Sequence, residues 1–209
     1  RKARRSPVMP RKDHLTYKTV GIMSGRFQPP HIGHMRAWEW LHTKFDSAFI
    51  ATSNVVEAFR SPFNFNEKKT MMLQAGIPDD SIICVKSPYI ASEIVDTFDP
   101  TSTVVIFAIS QKDMTDNPRF KFQPKKDGSA SFFQSYADNK HELLPVNKHA
   151  YVVVLPTFEF DVAGSPVHSA TEIRNQFVAA NHSTQTDMIA DLYGKYSDEI
   201  HVLMRDKIV

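Results

Sequence analysis

The chain has 209 residues, a formal net charge of +2 and 42% hydrophobic residues. This composition supports one folded domain with a real core and excludes a uniformly basic, nucleic-acid-binding surface. The single cysteine, Cys84, excludes an internal disulfide and a cysteine-based zinc site. Its apolar neighbours predict a buried thiol. No apolar run reaches the roughly 18 residues of a transmembrane helix, so we expect no membrane association and a cytoplasmic location.

Residues 1–18 form a polar and basic arm in which Pro7 and Pro10 interrupt any helix. The pattern is typical of a flexible tail. It also suits an arm that binds nucleic acid, an acidic partner or a neighbouring subunit. The chain opens at Arg1 rather than at methionine, which suggests a processed or truncated product, and no signal-peptide pattern follows. The predicted main domain covers residues 19–182.

The first strand is predicted at residues 20–24 and the first helix at about residues 33–45, where apolar side chains recur at helical spacing. Trp38 belongs to the apolar stripe and is predicted in the core, whereas Trp40 suits either the core or a cofactor-stacking role. A second strand at residues 49–52 completes a right-handed βαβ unit.

The turn between this strand and this helix has the sequence GRFQPPHIGH, at residues 25–34. A strand followed by a tight turn and a helix N-terminus presents backbone N–H groups to a phosphate. Gly33 leaves room for the close approach of a ligand, and His31 and His34 point the same way. Two imidazoles beside helix-end donors suit a polyphosphate whose charge shifts during a reaction. The alternative for an isolated histidine pair is helix capping or a surface position.

GRFQPPHIGH resembles the signature of the HIGH-type nucleotidyltransferases, and its GRFQP start resembles the archaeal-type nicotinamide mononucleotide adenylyltransferases. The resemblance implies transfer of a nucleoside monophosphate from a nucleoside triphosphate, with release of pyrophosphate. It also implies a Rossmann-like fold and Mg²⁺ on the phosphates of ATP, with no protein ligand assigned to the metal. On this basis His31 and His34 are expected to be catalytic and to bind the α- and β-phosphates. The expected nucleotide-binding residues of the turn are Gly25, Arg26, Phe27 and Gly33.

A second block, residues 60–73, is predicted to contain a helix that starts after an N-cap at Asn66 and ends near Gln74. The block resembles an Asn-Pro-Phe-Thr string followed by Glu-Arg in the same adenylyltransferases. Ser61 replaces the usual Asn, and Lys68 replaces the usual Arg. A lysine keeps the charge but loses the bidentate geometry. Lys68 is therefore expected either to assist phosphate binding or to face solvent.

The third and fourth strands are predicted at residues 82–86 and 103–109, and residues 88–98 suit a helix or a loop. The continuous apolar run of the fourth strand is typical of a sheet covered on both faces. Ligands of open parallel sheets bind beyond the carboxyl ends of the strands, so Lys112 and Asp113 are expected near the histidines. Asp113 suits contact with a ribose, a base or a magnesium-bound water, or alternatively a loop cap.

Residues 111–149 form a polar segment that is longer than the minimal family fold requires. Phe120 and Phe122 alternate with basic side chains in it. Such a pattern suits base stacking in a nucleic-acid complex, but long segments in compact domains also form lids. We favour a lid or a subunit contact.

The fifth strand is predicted at residues 150–155, and a capping box with Ser169 at the N-cap predicts a further helix. The string resembles the family's third block, Ile-Ser-x-Thr-x-Ile/Val-Arg. Ser169, Thr171 and Arg174 occupy matching positions, and His168 replaces the Ile. By this resemblance the two hydroxyls and a catalytic Arg174 hold the leaving β- and γ-phosphates.

Residues 183–209 are predicted to form a C-terminal helical extension that either packs on the sheet or forms a dimer seam in a homo-oligomer. Its apolar face contains Met188, Ile189, Leu192 and Tyr193.

The combined prediction is an α/β, Rossmann-like open parallel sheet of five strands with helices on both faces, followed by C-terminal helices. The preferred reaction is transfer of AMP from ATP to nicotinamide mononucleotide. The alternatives are cytidylyl transfer to a phosphorylated alcohol such as choline phosphate, and a non-enzymatic structural module. The module is considered because the chain loosely resembles nucleotidyltransferase-like proteins of large tailed phages. The adenylyltransferases usually stack nicotinamide on a Trp beyond the third strand, where Tyr89 is the nearest aromatic candidate.

Overall fold

The structure, a computed structural model, describes residues 17–115 and 118–208. The predicted basic arm therefore lies outside the described residues, except for its last two positions. A six-stranded parallel sheet forms the centre, with the strand order β3-β2-β1-β4-β6-β5. The strands are β1 (Lys18–Ser24), β2 (Ser47–Thr52), β3 (Ile82–Cys84), β4 (Thr103–Ile109), β5 (Phe133–Ser135) and β6 (Ala150–Val154).

The described residues also form five helices of ten or more residues. They are α1 (Ile32–Lys44), α2 (Phe65–Gln74), α6 (Ala170–Ala179), α7 (His182–Tyr193) and α8 (Asp198–Ile208). Shorter elements are the single-turn helices α3 (Ser92–Val95), α4 (Lys112–Thr115) and α5 (Tyr136–Asn139), a 3₁₀ turn at Asp79–Ser81, and the antiparallel hairpin of β7 (Phe160–Val162) and β8 (Ser165–Val167). None of these helices is long and apolar enough to cross a membrane.

The fourth strand shows why the sheet is covered on both faces. All seven residues of β4 are buried. Val104, Ile106 and Ala108 pack in the hydrophobic cluster that contains α1, whereas the alternate residues pack in the cluster on the opposite face. This is the two-residue period of a strand with apolar neighbours on both sides. The prediction for this strand is confirmed.

The predicted count of five strands is wrong, because the long segment after β4 contributes a sixth. β5 pairs in parallel with β6 at the edge of the sheet. Phe133 of this strand packs edge-on against Phe107 and Phe120, with ring centroids 5.8 and 4.6 Å apart. Aromatic packing thus stabilises a strand that is too short to show an alternating pattern.

The C-terminal helices form a third hydrophobic cluster with α2, α6 and the hairpin. Ile189, Leu192 and Tyr193 of α7 are almost fully buried in it. The apolar face of the extension therefore packs against other helices and the hairpin of the same chain. Trp38 is buried in the core as predicted, while Trp40 is half-buried.

Two local predictions are wrong. Cys84 is exposed, because it is the last residue of β3, which lies at the edge of the sheet. Helix α2 starts earlier than predicted: its N-cap is Asn64, whose side chain accepts a hydrogen bond from the Glu67 N–H at 3.0 Å. The Glu67 carboxylate accepts in return from the Asn64 N–H at 2.8 Å, which completes a capping box.

Candidate active site

A cavity of about 890 Å³ opens beyond the carboxyl ends of β1 and β4. From β1 the strand order continues to β2 on one side and to β4 on the other. This position is the topological switch point, where open α/β sheets bind ligands. Every predicted site residue except Lys68 lines the cavity: Gly25, Arg26, Phe27, His31, Gly33, His34, Tyr89, Asp113, Ser169, Thr171 and Arg174. Neither Trp38 nor Trp40 does so.

The two histidines stack at the start of α1. His31 is the N-cap residue, and its ring lies 3.6 Å from the ring of His34, with 28° between the planes. The backbone N–H of His31 donates to Nδ1 of His34 at 3.2 Å. The other face of His31 stacks on Phe160 at 4.9 Å, and Phe27 meets His34 edge-on at 4.8 Å. Both imidazoles therefore have fixed orientations.

Burial keeps both imidazoles neutral at pH 7. It lowers the pKa of His34 to about 3, and burial together with His34 lowers the pKa of His31 well below its ordinary value. Since Nδ1 of His34 accepts a hydrogen bond, the proton of the neutral ring is on Nε2, where it can be donated. Nδ1 of His31 is buried without a partner among the described residues. Such unsatisfied atoms are rare and point to a functional position.

The space around Gly33 is occupied by protein rings. A Cβ at this position would lie 2.8 Å from a Phe160 ring carbon and 3.1 Å from the His31 ring. The absence of a side chain therefore permits the stacking of His31 on Phe160, in addition to the predicted approach of a ligand.

Hydrogen bonds join the three sequence blocks around the GRFQPPHIGH turn. The side-chain amide of Gln28 donates to the carbonyl of Phe63 at 2.7 Å and accepts from its N–H at 2.9 Å. The guanidinium of Arg174 donates to the carbonyl of Gln28. The hydroxyl of Tyr193 donates to the carbonyl of Pro30 at 3.0 Å.

The start of α6 forms the facing wall. Ser169 is the N-cap, and its hydroxyl oxygen accepts from the Glu172 N–H at 3.2 Å. The Glu172 carboxylate accepts from the His168 N–H at 2.9 Å instead of from the Ser169 N–H, so the predicted N-cap is present but the return bond of the capping box is not. The hydroxyl of Thr171 accepts from Arg174 at 3.3 Å. Both hydroxyl oxygens thus act as acceptors within the protein, which leaves their hydrogens available for an anion.

Tyr89 and Asp113 meet at another part of the cavity through Arg119. The guanidinium of Arg119 lies 4.4 Å from the centre of the Tyr89 ring, and its Nε donates to Asp113 at 2.9 Å. Asp113 also accepts from the hydroxyl of Ser110 at 2.7 Å. Burial and the carboxylate of Asp113 raise the pKa of Tyr89. Asp113 therefore acts as a loop anchor that faces the cavity.

Lys68 lies beneath the turn instead of in the cavity. Its side chain is almost fully buried, and its Nζ donates to the Thr52 hydroxyl at 2.6 Å and to the carbonyls of Ser53 and Arg26 at 2.7 and 3.2 Å. The predicted solvent-facing position is wrong. All three N–H donors of the ammonium have acceptors within the protein, which leaves none for a phosphate.

Arg60, Arg119 and Phe160 are among the cavity residues that the sequence did not predict. Arg60 lies between Glu57 and Ser61, which form an isolated β-bridge in the segment after β2. Arg119 belongs to the basic–aromatic segment of residues 111–149, and it bonds to Asp113, six positions earlier in the sequence. The signal for Phe160 was its position shortly after the carboxyl end of β6, the edge at which ligands of parallel sheets bind.

Positive charge dominates the cavity lining. The carboxylates are Asp113 and Glu159, whereas the cationic side chains are Arg26, Arg60, Lys112, Arg119 and Arg174. An anionic ligand therefore suits the site. Among the described residues no group of three or more His, Cys, Asp or Glu side chains is placed to hold a metal ion.

Known proteins resemble this chain over most of its length. The nicotinamide-nucleotide adenylyltransferases of Thermococcus sibiricus and Pyrococcus furiosus are 25% and 24% identical to it, each over 90% of this chain and 88% of the relative. A bifunctional NMN adenylyltransferase/ADP ribose pyrophosphatase from Francisella tularensis, solved with AMP and a manganese ion, superposes with a TM-score of 0.50 at 17% identity. The match covers 92% of this chain but only half of that protein, and it supports the fold alone.

The sequence pattern of the cytidylyltransferase-like family matches residues 22–176. That range includes GRFQPPHIGH, the second block and the Ser169–Arg174 block. The predicted relationship to the nucleotidyltransferases is thereby confirmed. The chain belongs to the cytidylyltransferase-like family.

Proposed function

We propose that this protein transfers AMP from ATP to nicotinamide mononucleotide and releases pyrophosphate. The observation that carries the proposal is the convergence of two distant motifs on one cavity. His31, His34 and Arg174 all line it, and Arg174 is hydrogen-bonded to the GRFQPPHIGH turn itself. The names of the adenylyltransferase relatives support the choice of substrates.

In this mechanism the phosphate of the acceptor attacks the α-phosphorus of ATP in line. The reaction needs positioning and charge stabilisation, with no protein nucleophile. His34 donates from Nε2 to a phosphate oxygen and, as a neutral donor, requires no proton to be taken up at pH 7. The N–H groups at the start of α1 contribute further donors. Together these donors stabilise the charge that develops at the α-phosphorus.

The start of α6 holds the leaving pyrophosphate. Ser169 and Thr171 donate their free hydroxyl hydrogens, and Arg174 supplies the charge. Burial lowers the pKa of Arg174, but a guanidinium stays protonated in proteins. The α6 N-terminus adds the positive end of its helix dipole.

Magnesium accompanies the phosphates of ATP in this proposal. When bound, it neutralises phosphate charge and orients the triphosphate. The residues present fit this mode, because Mg²⁺ in such sites uses one or two carboxylates, several waters and the phosphates. Asp113 is the carboxylate that could contact a water of the ion.

The direct test is pyrophosphate release from ATP plus nicotinamide mononucleotide, compared with CTP plus choline phosphate under the same conditions. We expect release from the first pair at a rate at least tenfold above that from the second. Faster release from CTP and choline phosphate would replace the proposal with cytidylyl transfer. No release from either pair would favour the structural module.

A further inference from the structure

The buried Lys68 holds the backbone of the GRFQPPHIGH turn from behind. Its ammonium donates to the carbonyl of Arg26, and the hydroxyl of Thr52, which also accepts from Lys68, lies 3.5 Å from the same carbonyl oxygen. A third bond, to the carbonyl of Ser53, ties the turn to the end of β2. Removal of the ammonium would leave these oxygens without their charged donor.

The bond to Arg26 sets the direction of the next amide. In a planar trans peptide the C=O and N–H groups point in opposite directions. Since the carbonyl of Arg26 points at Lys68, the N–H of Phe27 points away from it. Arg26 and Phe27 line the large cavity and Lys68 does not. No described residue accepts a hydrogen bond from this N–H.

The backbone at Phe27 needs such a constraint. Its φ angle is +52°, in the left-handed region that a bulky side chain rarely adopts. Conformations of this kind persist only where the surroundings enforce them, and they cluster at functional sites. Lys68 donates to the carbonyl that precedes Phe27, and His34 contacts the Phe27 ring edge-on.

The ammonium carries no compensating charge. In the described parts of the chain no carboxylate forms an ion pair with Lys68, and burial lowers its pKa to about 8. An unpaired buried cation costs stability. A buried charge that lowers stability, such as the Lys68 ammonium, points to a role in function.

We propose that Lys68 is a positioning residue for the proposed reaction: its ammonium fixes the Arg26–Phe27 peptide so that the Phe27 N–H points at the bound triphosphate. The inference rests on the proposed function for its kinetic test. It differs from a phosphate-binding lysine in that Lys68 never touches the substrate.

The kinetic test compares Lys68→Met, Lys68→Arg and the control Lys69→Met. Lys69 is the adjacent residue of α2, and it forms an ion pair with Asp79 at 2.9 Å outside the cavity. We expect Lys68→Met to lower kcat/KM for ATP by roughly tenfold to a hundredfold, the effect of misplacing a charge-stabilising donor. Lys68→Arg should recover part of the loss, and Lys69→Met should match the wild type.

A stability measurement separates positioning from a purely structural role. We expect Lys68→Met to unfold at a lower urea concentration than the wild type, because two carbonyls and a hydroxyl lose their charged donor, and its turnover per folded molecule to fall as well. A variant that is less stable but turns over normally per folded molecule would overturn the proposal.

The pH profile gives a second readout. Turnover of the wild type should fall as the pH rises through about 8, where Lys68 loses its proton, whereas Lys68→Arg should keep its activity to higher pH because arginine stays charged. Stability should move the opposite way. The folded pKa lies below the unfolded value, so between about pH 8 and 10.5 the unfolded chain binds more protons. The wild type should therefore gain stability relative to Lys68→Met in that range.

Other charged or titratable groups near Lys68 also affect its pKa and therefore the pH dependence of turnover. Arg26 and Glu57 line a second, smaller cavity of about 260 Å³ that borders Lys68, and Cys84 acts on it through space. Cys84→Ser is therefore a control that should leave the alkaline limb of turnover in place. If turnover of the wild type and of Lys68→Arg fell at the same alkaline pH, the fall would not come from deprotonation of Lys68, and the positioning role would be contradicted.

Hydrogen exchange tests the inference without any activity. Mass spectrometry of a peptide that covers residues 22–30 should show at least tenfold faster exchange of the Gly25 amide, which donates to the carbonyl of Ala51 at 3.2 Å, in Lys68→Met than in Lys69→Met. If the wild type released no pyrophosphate, the proposed function would fail, and this experiment alone would decide on Lys68. Unchanged exchange in that peptide would overturn the positioning role.

Discussion

At the scale of single residues, the two nitrogens of the His34 ring have different tasks. One accepts a structural hydrogen bond, and the other can donate to a ligand. Its Nδ1 accepts from the His31 N–H, so its Nε2–H remains for a phosphate. We expect His34→Ala to lower turnover by roughly 10²–10³, the loss typical of a preorganised donor to a developing negative charge, with a modest change in KM. Steady-state pyrophosphate release measures both parameters.

The matched control is His42→Ala. His42 lies on the same helix, is exposed and stacks on Trp38 at 5.0 Å, outside the cavity. Its turnover should equal that of the wild type. If His34→Ala stays folded and its turnover is within a few-fold of the wild type, the proposed catalytic role of His34 is wrong.

The spacing of the two histidines was sufficient to predict their shared orientation, because i and i+3 positions of a helix start lie on one face. The environment of Lys68 could not be predicted in this way. Its adjacent residues Glu67 and Lys69 are polar, although Met71 and Met72, at i+3 and i+4, place it on the buried face of α2. Its acceptors Arg26, Thr52 and Ser53 lie 15 to 42 residues away in the sequence, and local patterns do not identify such partners.

At the scale of elements, α7 supports the turn through Tyr193. Its buried hydroxyl donates to the carbonyl of Pro30. We expect Tyr193→Phe to lower the free energy of unfolding by about 1–3 kcal/mol, the cost of leaving a buried carbonyl unpaired, and to lower turnover of the folded protein severalfold. Urea unfolding and pyrophosphate release measure the two effects.

Tyr151→Phe controls for the loss of a buried hydroxyl. The Tyr151 hydroxyl is equally buried and accepts from the Leu144 N–H at 2.8 Å, away from the cavity. This variant should lose similar stability and keep its turnover. Equal turnover in both variants would show that α7 does not act on the turn.

The spacing of apolar residues was sufficient to predict most of the long helices and strands, but not the short ones. Strand β4 has the predicted bounds, and α1 begins one residue before its prediction. The β7–β8 hairpin was missed because Ala163 and Gly164 make its turn, both at positive φ. Two-residue hairpin turns usually have the sequence Asn-Gly or Asp-Gly, and the Ala163-Gly164 pair does not match that pattern. The N-cap of α2 was detectable, since Asn64 and Glu67 have the capping-box spacing.

At the scale of the whole molecule, nucleotide binding should stabilise the fold by mass action. A ligand at about 100 times its Kd adds about 2.7 kcal/mol, which corresponds to a rise in Tm of roughly 5–10 °C for a chain of this size. We expect ATP with magnesium to give this rise in a thermal-shift assay and CTP a smaller one. A larger shift with CTP would contradict adenylyl transfer.

The overall architecture and the meeting of the three blocks were predictable, because strand, helix and strand repeat along the chain and parallel strands bring their carboxyl ends to one edge. The walls of the cavity were not. Arg119 and Phe160 lie in irregular or short segments whose paths depend on aromatic packing with Tyr89 and His31. The lid role of residues 111–149 stays a prediction, although Arg119 places part of that segment in the wall.

The hydrogen bond between Arg174 and the carbonyl of Gln28 spans 146 residues. During synthesis on a ribosome, the histidines emerge long before the arginine that completes their pocket. A nascent chain that ends before Arg174 therefore contains both histidines but lacks the guanidinium that donates to the turn. The lining of the cavity is complete only late in synthesis.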